Sequence, residues 1–232
     1  MVLQVNVQQD SDNKKDSDRS LLRCGAFAYF GMPLCYIGMF VIFGILLSVP
    51  QAADLSQKIA CIASQQSMLS VAYVLGYLIF GCLLLVAVQA TQARLNVASS
   101  HLLDFASAFG FIWVVLMMCS GMLALVGLNT MVTLFSQGST HAETLFYVYT
   151  TVVNGLGGVI ELVGGIWVLG LSVCGLKTKQ LAKGLNYFGC LVGVLGICTL
   201  IQTVPGFKDA FGLCQILWFI FMGVALFKSN TE

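Results

Sequence analysis

A single carboxylate, Glu161, stands inside the otherwise uncharged stretch "NGLGGVIELVGGIW", residues 154–167. An acid in such surroundings has two uses. Protonated, it can donate an interhelical hydrogen bond and act as structural glue while the glycines admit a close neighbour; alternatively it can serve as a proton, ion or ligand site. On a helix at about 100° per residue, Tyr147, Thr150, Asn154, Gly158, Glu161, Gly165 and Ser172 fall within roughly 40° of one line, with Thr151, Gly157 and Gly164 beside it. The opposite face carries Leu156, Ile160, Val163, Ile166 and Trp167. Lipid has no use for the polar and small stripe, so the stripe is expected to face the protein interior.

Other chemistries lack their residues. The chain has no H-E-x-x-H, no G-x-S-x-G elbow, no phosphate-cradling G-x-x-x-x-G-K loop and no pair of aspartates within an apolar run. The glycines of "NGLGGVIELVGG" are not a nucleotide fingerprint, because no strand precedes them and lipid leaves no room for a phosphate. No apolar run contains a lysine for a Schiff base. Of nine cysteines, eight (Cys24, Cys35, Cys82, Cys119, Cys174, Cys190, Cys198 and Cys214) fall in or at the ends of apolar runs, and only Cys61 lies in an outer loop. With no C-x-x-C they are expected to be small buried hydrophobes. His101 and His141 both fall outside the runs, which leaves neither a metal set nor axial haem ligands. The expectation is a protein that is not an enzyme and has no cofactor and no metal.

The positioning elements follow from composition. Of 232 residues, 58% are hydrophobic and only 9% charged, with a mean hydropathy of +0.91; soluble domains average roughly 45–50% apolar and about 25% charged. This is the composition of an integral membrane protein, whose main partner is the lipid bilayer. A net charge of +1 offers no field to attract nucleic acid. Six apolar runs can be traced: Cys24 to Val49, Ser67 to Ala90, Phe105 to about Leu128, Leu145 to Cys174, Gly184 to Val204, and Phe211 to Phe227. Each exceeds or approaches the roughly 17–25 residues that cross a hydrocarbon core. Alternation of polar and apolar positions is missing, which excludes a β-barrel. The predicted fold is therefore all-α: a polytopic integral membrane protein with six transmembrane helices in one bundle. The outer end of the third run lies anywhere between Leu128 and Phe135.

Charge placement sets the orientation. Lys14, Lys15, Arg19, Arg23, Arg94, Lys177, Lys179, Lys183 and Lys228 collect on one side, against Lys58 and Lys208 on the other. The positive-inside rule then puts both termini in the cytoplasm. Residues 1–23 read as a disordered cytoplasmic tail, 24–228 as the membrane domain and 229–232 as a short C-terminal tail. The lead is too long and the first run too long for a cleaved signal ending near "VPQAAD". Pro33 predicts a kink between Met32 and Tyr36. No discontinuous helix is evident, nor a repeat relating runs one to three with four to six.

At mid-depth in the fourth run, an ionised Glu161 has no Arg or Lys in any span to pair with. It is either neutral or turned to a hydrated cavity, and Tyr36, Tyr73, Tyr77 and Ser120 are the mid-depth groups available to it. The candidate intramembrane polar site is therefore Glu161, Asn154, Thr150, Tyr36 and Ser120. Gly157, Gly158, Gly164, Gly165, Gly189 and Gly193 are expected to pack helices, as is Gly196, which shares a face with Gly189 and Gly193. Trp113, Trp167 and Trp218 are expected as packing or interface anchors.

The C-terminal half, "GLGGVIELVGGIWVLGLSVCGLKTKQLAKGLNYFGCLVGVLGI" followed by a proline and "FGLCQILWFIFMGVALF", resembles a bacterial multi-pass membrane family classed as domain of unknown function 4386. The shared features are the G-x-W-x-L-x-L-type end of the fourth run, a basic hairpin leading into "LNYFG", and a glycine-rich fifth run; the family's usual hairpin proline is replaced here by "LAKGL". The resemblance implies a bacterial cytoplasmic (inner) membrane location and six helices. It carries no residue roles. Two functions stay open: a non-enzymatic membrane protein that packs, senses or assists a partner, and a small proton-linked permease with Glu161 as its protonatable site. They differ in what surrounds Glu161, a dry packed contact or a polar cavity. A membrane partner protein and a homo-oligomer are both left open as partners.

Overall fold

The computed structural model describes residues 2–47, 54–95 and 101–229, with side chains from residue 17 onward. Among these residues the secondary structure is helical, with no strand. Five helical stretches are long and apolar enough to cross a bilayer: Ser17–Leu46, Gln66–Leu95, His101–Ser136, His141–Thr178 and Gly206–Ser229. They comprise α1 (Val2–Val41), α3 (Gln66–Tyr73), α4 (Phe80–Leu95), α5 (His101–Ser136), α6 (His141–Val153), α7 (Leu162–Thr178) and α9 (Gly206–Ser229), joined within spans by π-helical turns at Ile42–Leu46, Val74–Ile79 and Asn154–Gly158. The short α2 (Leu55–Ser64) precedes α3 and is capped by Asp54, whose carboxylate accepts from the Gln57 N–H at 2.7 Å.

The fifth run is shorter than its sequence suggests. Its helix, α8 (Lys183–Cys198), has 16 residues and stops before the expected end at Val204. At about 1.5 Å per residue it is about 24 Å long. Thr199 ends it by donating its hydroxyl to the Gly196 carbonyl at 2.6 Å, a local bond that competes with the helix ladder. The chain then closes in tight turns, with Ile201 N–H on the Cys198 carbonyl at 2.9 Å, up to Pro205, which disfavours helix in the residue before it.

Other boundaries also move. The α1 helix takes in residues 2–23, which the sequence reading assigns to a disordered tail, and it runs through Pro33 as one element. The α5 helix continues to Ser136, past both ends considered for it. The "VPQAAD" segment lies almost entirely outside the described residues, as do the last three residues of the C-terminal tail.

The helices follow one another around a circuit. Contacts join α1 to α4, α4 to α5, α5 to α6 and α7, α7 to α8, α8 to α9, and α9 back to α1. Phe27, Leu34, Val115, Val126 and Leu213 point outward and are exposed, while Tyr29, Phe80, Trp113, Trp167 and Trp218 are buried. A molecule apolar on both its outer and inner surfaces suits lipid rather than water as its surroundings. Cysteines divide between the two: Cys35 and Cys174 are buried, whereas Cys24 and Cys82 are exposed on the outer surface, contrary to a uniformly buried set.

The tightest approach is between α7 and α8. A Cβ built on Gly165 would stand 2.8 Å from the Gly193 carbonyl oxygen and 2.9 Å from Gly196 carbon, both backbone atoms. A Cβ on Gly193 would likewise meet the Gly165 oxygen at 2.8 Å. Backbones in direct contact make dispersion and polar attraction stand in for a hydrophobic driving force that lipid does not supply.

Candidate functional site

The fourth span is discontinuous. After α6 the backbone widens into the π turn, in which the Val159 N–H reaches the Asn154 carbonyl at 3.2 Å. Gly157 then takes φ 144°, ψ 10°, and Val159 φ −133°, ψ −37°, before α7 begins. Only glycine adopts the first of these angles without strain, because it lacks a Cβ. This corrects the expectation of an unbroken helix, and it also overturns the single helical wheel. On α6, Tyr149 and Val153 are buried while Tyr147, on the expected inward stripe, is exposed. Trp167, on the expected outward face, is 0% exposed.

Glu161 occupies the N-cap position of α7, with φ −99° and ψ 25°, and its side chain makes no capping bond to that helix. Its backbone is held instead by the neighbour. The Glu161 N–H donates to Thr199 Oγ1 at 2.8 Å, and the Glu161 carbonyl accepts from Gly165 N–H at 2.8 Å, starting the α7 ladder. The main chain is thereby held at this point, while the carboxyl Oε2 stays buried with no hydrogen-bond partner among the described residues. A helix N-terminus favours negative charge, and a buried acceptor without a partner costs about 1–3 kcal/mol until something fills it.

Glu161 lines a cavity of about 360 Å³, within the size range of small-molecule sites. Glu161, Asn154, Thr150, Gly157 and Gly158 line one wall, and Tyr36, Tyr73, Tyr77 and Tyr149 line the others. Lys208, in the first turn of α9, completes the lining and is the one cation among its described residues. Its charge, and the phenols of Tyr36 and Tyr77, are close enough to act on Glu161 or to be acted on by it. The Tyr73 side chain meets that of Tyr149 across helices. A Cβ on Gly158 would stand 2.9 Å from Asn154 Oδ1 and 3.1 Å from Tyr77 Oη, so the glycine keeps this corner open.

Below the cavity lies a closed circuit of aromatic rings. Phe80 touches Trp113 with centroids 5.7 Å apart, Trp113 touches Trp167 at 5.7 Å, Trp167 touches Trp218 at 5.7 Å, Trp218 touches Phe219 at 5.8 Å, and Phe219 returns to Phe80 at 6.1 Å. Tyr36 stands edge-on to Phe80 at 5.3 Å, tying the floor to the wall. Each such pair contributes about 0.5–1.5 kcal/mol beyond its area burial, which makes this layer rigid. The far end of the molecule, where Arg94 Nη1 donates to Gln180 Oε1 at 2.7 Å, lies beyond it.

Of the residues singled out from sequence, Glu161, Asn154, Thr150 and Tyr36 come together on one cavity. Ser120 does not: it is fully buried in α5 and its hydroxyl has no partner there. Among the glycines, Gly164 lies against the Trp113 ring, Gly165 and Gly193 against each other's backbones, and Gly189 against Ser172 and Trp218. Gly157 and Gly158 instead form the break and line the cavity. Lys208, Tyr149 and Thr199 were not singled out. Lys208 had one signal in the sequence, as one of only two cations on its side of the chain. Compared with known protein families, curated proteins and solved structures, the chain finds no match in any of the three.

Proposed function

We propose that this chain is a small proton-linked permease: a six-span membrane protein with both termini in the cytoplasm, which binds a small solute in the Glu161 cavity. The observation that carries this reading is the cavity itself. Structural glue calls for a dry contact filled by a neighbouring helix; here Glu161 lines about 360 Å³ of space, together with the hydroxyls of four tyrosines and Thr150, the Asn154 amide and a larger share of apolar side chains. The broken helix adds support. Discontinuous spans that place a half-helix N-terminus at mid-depth are a recurrent way for carriers to present backbone polarity to a bound solute. Packing glycines are accounted for by the α7 and α8 contact and need no further role.

In the proposed cycle Glu161 takes up a proton on one side and releases it on the other, non-enzymatically, in step with the solute. In this reading α8 counts as the fifth of the six spans, its helix ending short and the turns from Thr199 to Pro205 completing the passage. The surplus of Lys and Arg near Arg94 and Lys177 supports the orientation, and a bacterial inner-membrane setting is proposed with it, on the sequence resemblance alone.

Proteoliposomes holding a pH-sensitive dye and a mixed pool of amines, amino acids and sugars test this. An acid step outside is expected to give a saturable internal pH change that Glu161→Gln abolishes. Equal rates for wild type, Glu161→Gln and empty vesicles would sink the permease reading.

A further inference from the structure

The cavity contains two formal charges of opposite sign, Glu161 and Lys208, and no others among the described residues of its lining. They come from different parts of the chain, the break in span four and the first turn of α9. Much of the remaining wall is aromatic: the rings of Phe43 and Tyr73 have centroids 6.2 Å apart, those of Tyr73 and Tyr77 6.1 Å, and Tyr36 and Tyr149 belong to the lining as well. Faces of phenol and phenyl rings attract ammonium groups through their quadrupoles, by about 0.5 kcal/mol at exposed sites to about 2 kcal/mol or more when desolvated. An anionic solute alone would be repelled by the ionised acid at depth; an uncharged sugar would leave both charges unanswered.

We propose that the cavity takes a small zwitterion, its organic ammonium group seated among the tyrosines against Glu161 and its carboxylate or phosphate directed to Lys208. This rests on the solute-binding reading above and names the solute's class. A proton and an ammonium group then compete for one carboxylate: protonated Glu161 plus the cation gives the ion pair plus a released proton, with charge and atoms balanced. The titratable and charged groups facing Glu161 are Tyr36 from α1, Tyr77 from the π turn between α3 and α4, and Lys208 from α9; α8 offers only the Thr199 hydroxyl. None of these supplies a second acid, so the competition falls on Glu161.

Calorimetric titration of the detergent-purified full chain tests the class without requiring transport. The probes are glycine betaine, choline, tetramethylammonium and acetate at fixed ionic strength. Betaine is expected to bind, choline and tetramethylammonium more weakly, and acetate not at all. Glu161→Gln should weaken every ammonium probe on the order of tenfold, equivalent to about 1.4 kcal/mol, and remove the loss of affinity seen on acidification. Lys208→Gln should erase the advantage of betaine over choline while leaving choline unchanged. Thermal melting of each variant, within a few degrees of wild type, shows that it is folded; Glu161→Met serves in place of the glutamine variant if that one fails this check. No saturable binding of any ammonium probe overturns the proposal, even if vesicle assays show proton flux with another solute. Betaine binding without any vesicle flux would uphold it while removing the permease reading. Choline binding as tightly as betaine overturns the role of Lys208.

Discussion

The Glu161 backbone N–H donates to Thr199 Oγ1 at 2.8 Å, and the same hydroxyl donates onward to the Gly196 carbonyl at 2.6 Å. One threonine therefore ends α8 and anchors the start of α7. The acid of the candidate site is held through its main chain, which leaves its carboxyl group for other partners.

Replacing that threonine separates the clamp from the shape. Thr199→Val keeps the volume but leaves the Glu161 N–H without an acceptor, at a cost of about 1–3 kcal/mol. A melting temperature several degrees below wild type is expected in detergent, with Thr199→Ser close to wild type. Equal melting of the valine and serine variants would show that the hydrogen bond does not hold the break.

Gly157 and Gly155 make a matched pair for the break. Both lie in the π turn, but Gly157 has φ 144° while a Cβ on Gly155 meets nothing within 4 Å. Gly157→Ala is expected to destabilise by about 1–3 kcal/mol through backbone strain, and Gly155→Ala to be near neutral or slightly stabilising. Denaturation of the two variants side by side decides it; equal effects would mean that the span is continuous.

The α7 and α8 contact predicts an asymmetry between glycines. Gly165→Ala drives a methyl group into the backbone of Gly193 and Gly196, whereas Gly184→Ala meets nothing within 4 Å. Overpacking of this kind costs about 1–3 kcal/mol, and neither backbone can swing aside as a side chain would. Size-exclusion profiles should show loss of the folded peak for Gly165→Ala and none for Gly184→Ala. A well-behaved Gly165→Ala protein would contradict the close approach.

Orientation is open to direct labelling. Cys61, in α2, is expected to react with a membrane-impermeant maleimide from the face opposite Lys177 and Lys179. Reaction from the cytoplasmic face alone would reverse the topology.

The acid at Glu161 was legible because one charge in an apolar run is conspicuous whatever the fold. Asn154 and Thr150 followed from the polar stripe they share with Glu161 at helical spacing, and Tyr36 from its depth. Ser120 was chosen on depth too, but its direction around α5 decides what it meets, and no periodicity fixes that for an interior helix apolar on most sides. The break at Gly157 was hidden for a related reason. A glycine that packs and a glycine that turns are the same letter, and which one operates depends on the partner across the gap, here α8 with Thr199. Lys208 escaped notice because its closeness to Glu161 arises only when α9 is laid beside α8 and α1. The early end of α8 followed from a side-chain bond that hydropathy does not register.

The floor of aromatic rings has an optical consequence. Trp113, Trp167 and Trp218 are all three tryptophans of the chain, and each belongs to that one layer. Emission excited at the indole band therefore comes from a single spot, packed closely enough for excitation to hop from ring to ring. The protein carries a native fluorophore directly under its cavity, and no dye need be attached to watch that place fill or change shape.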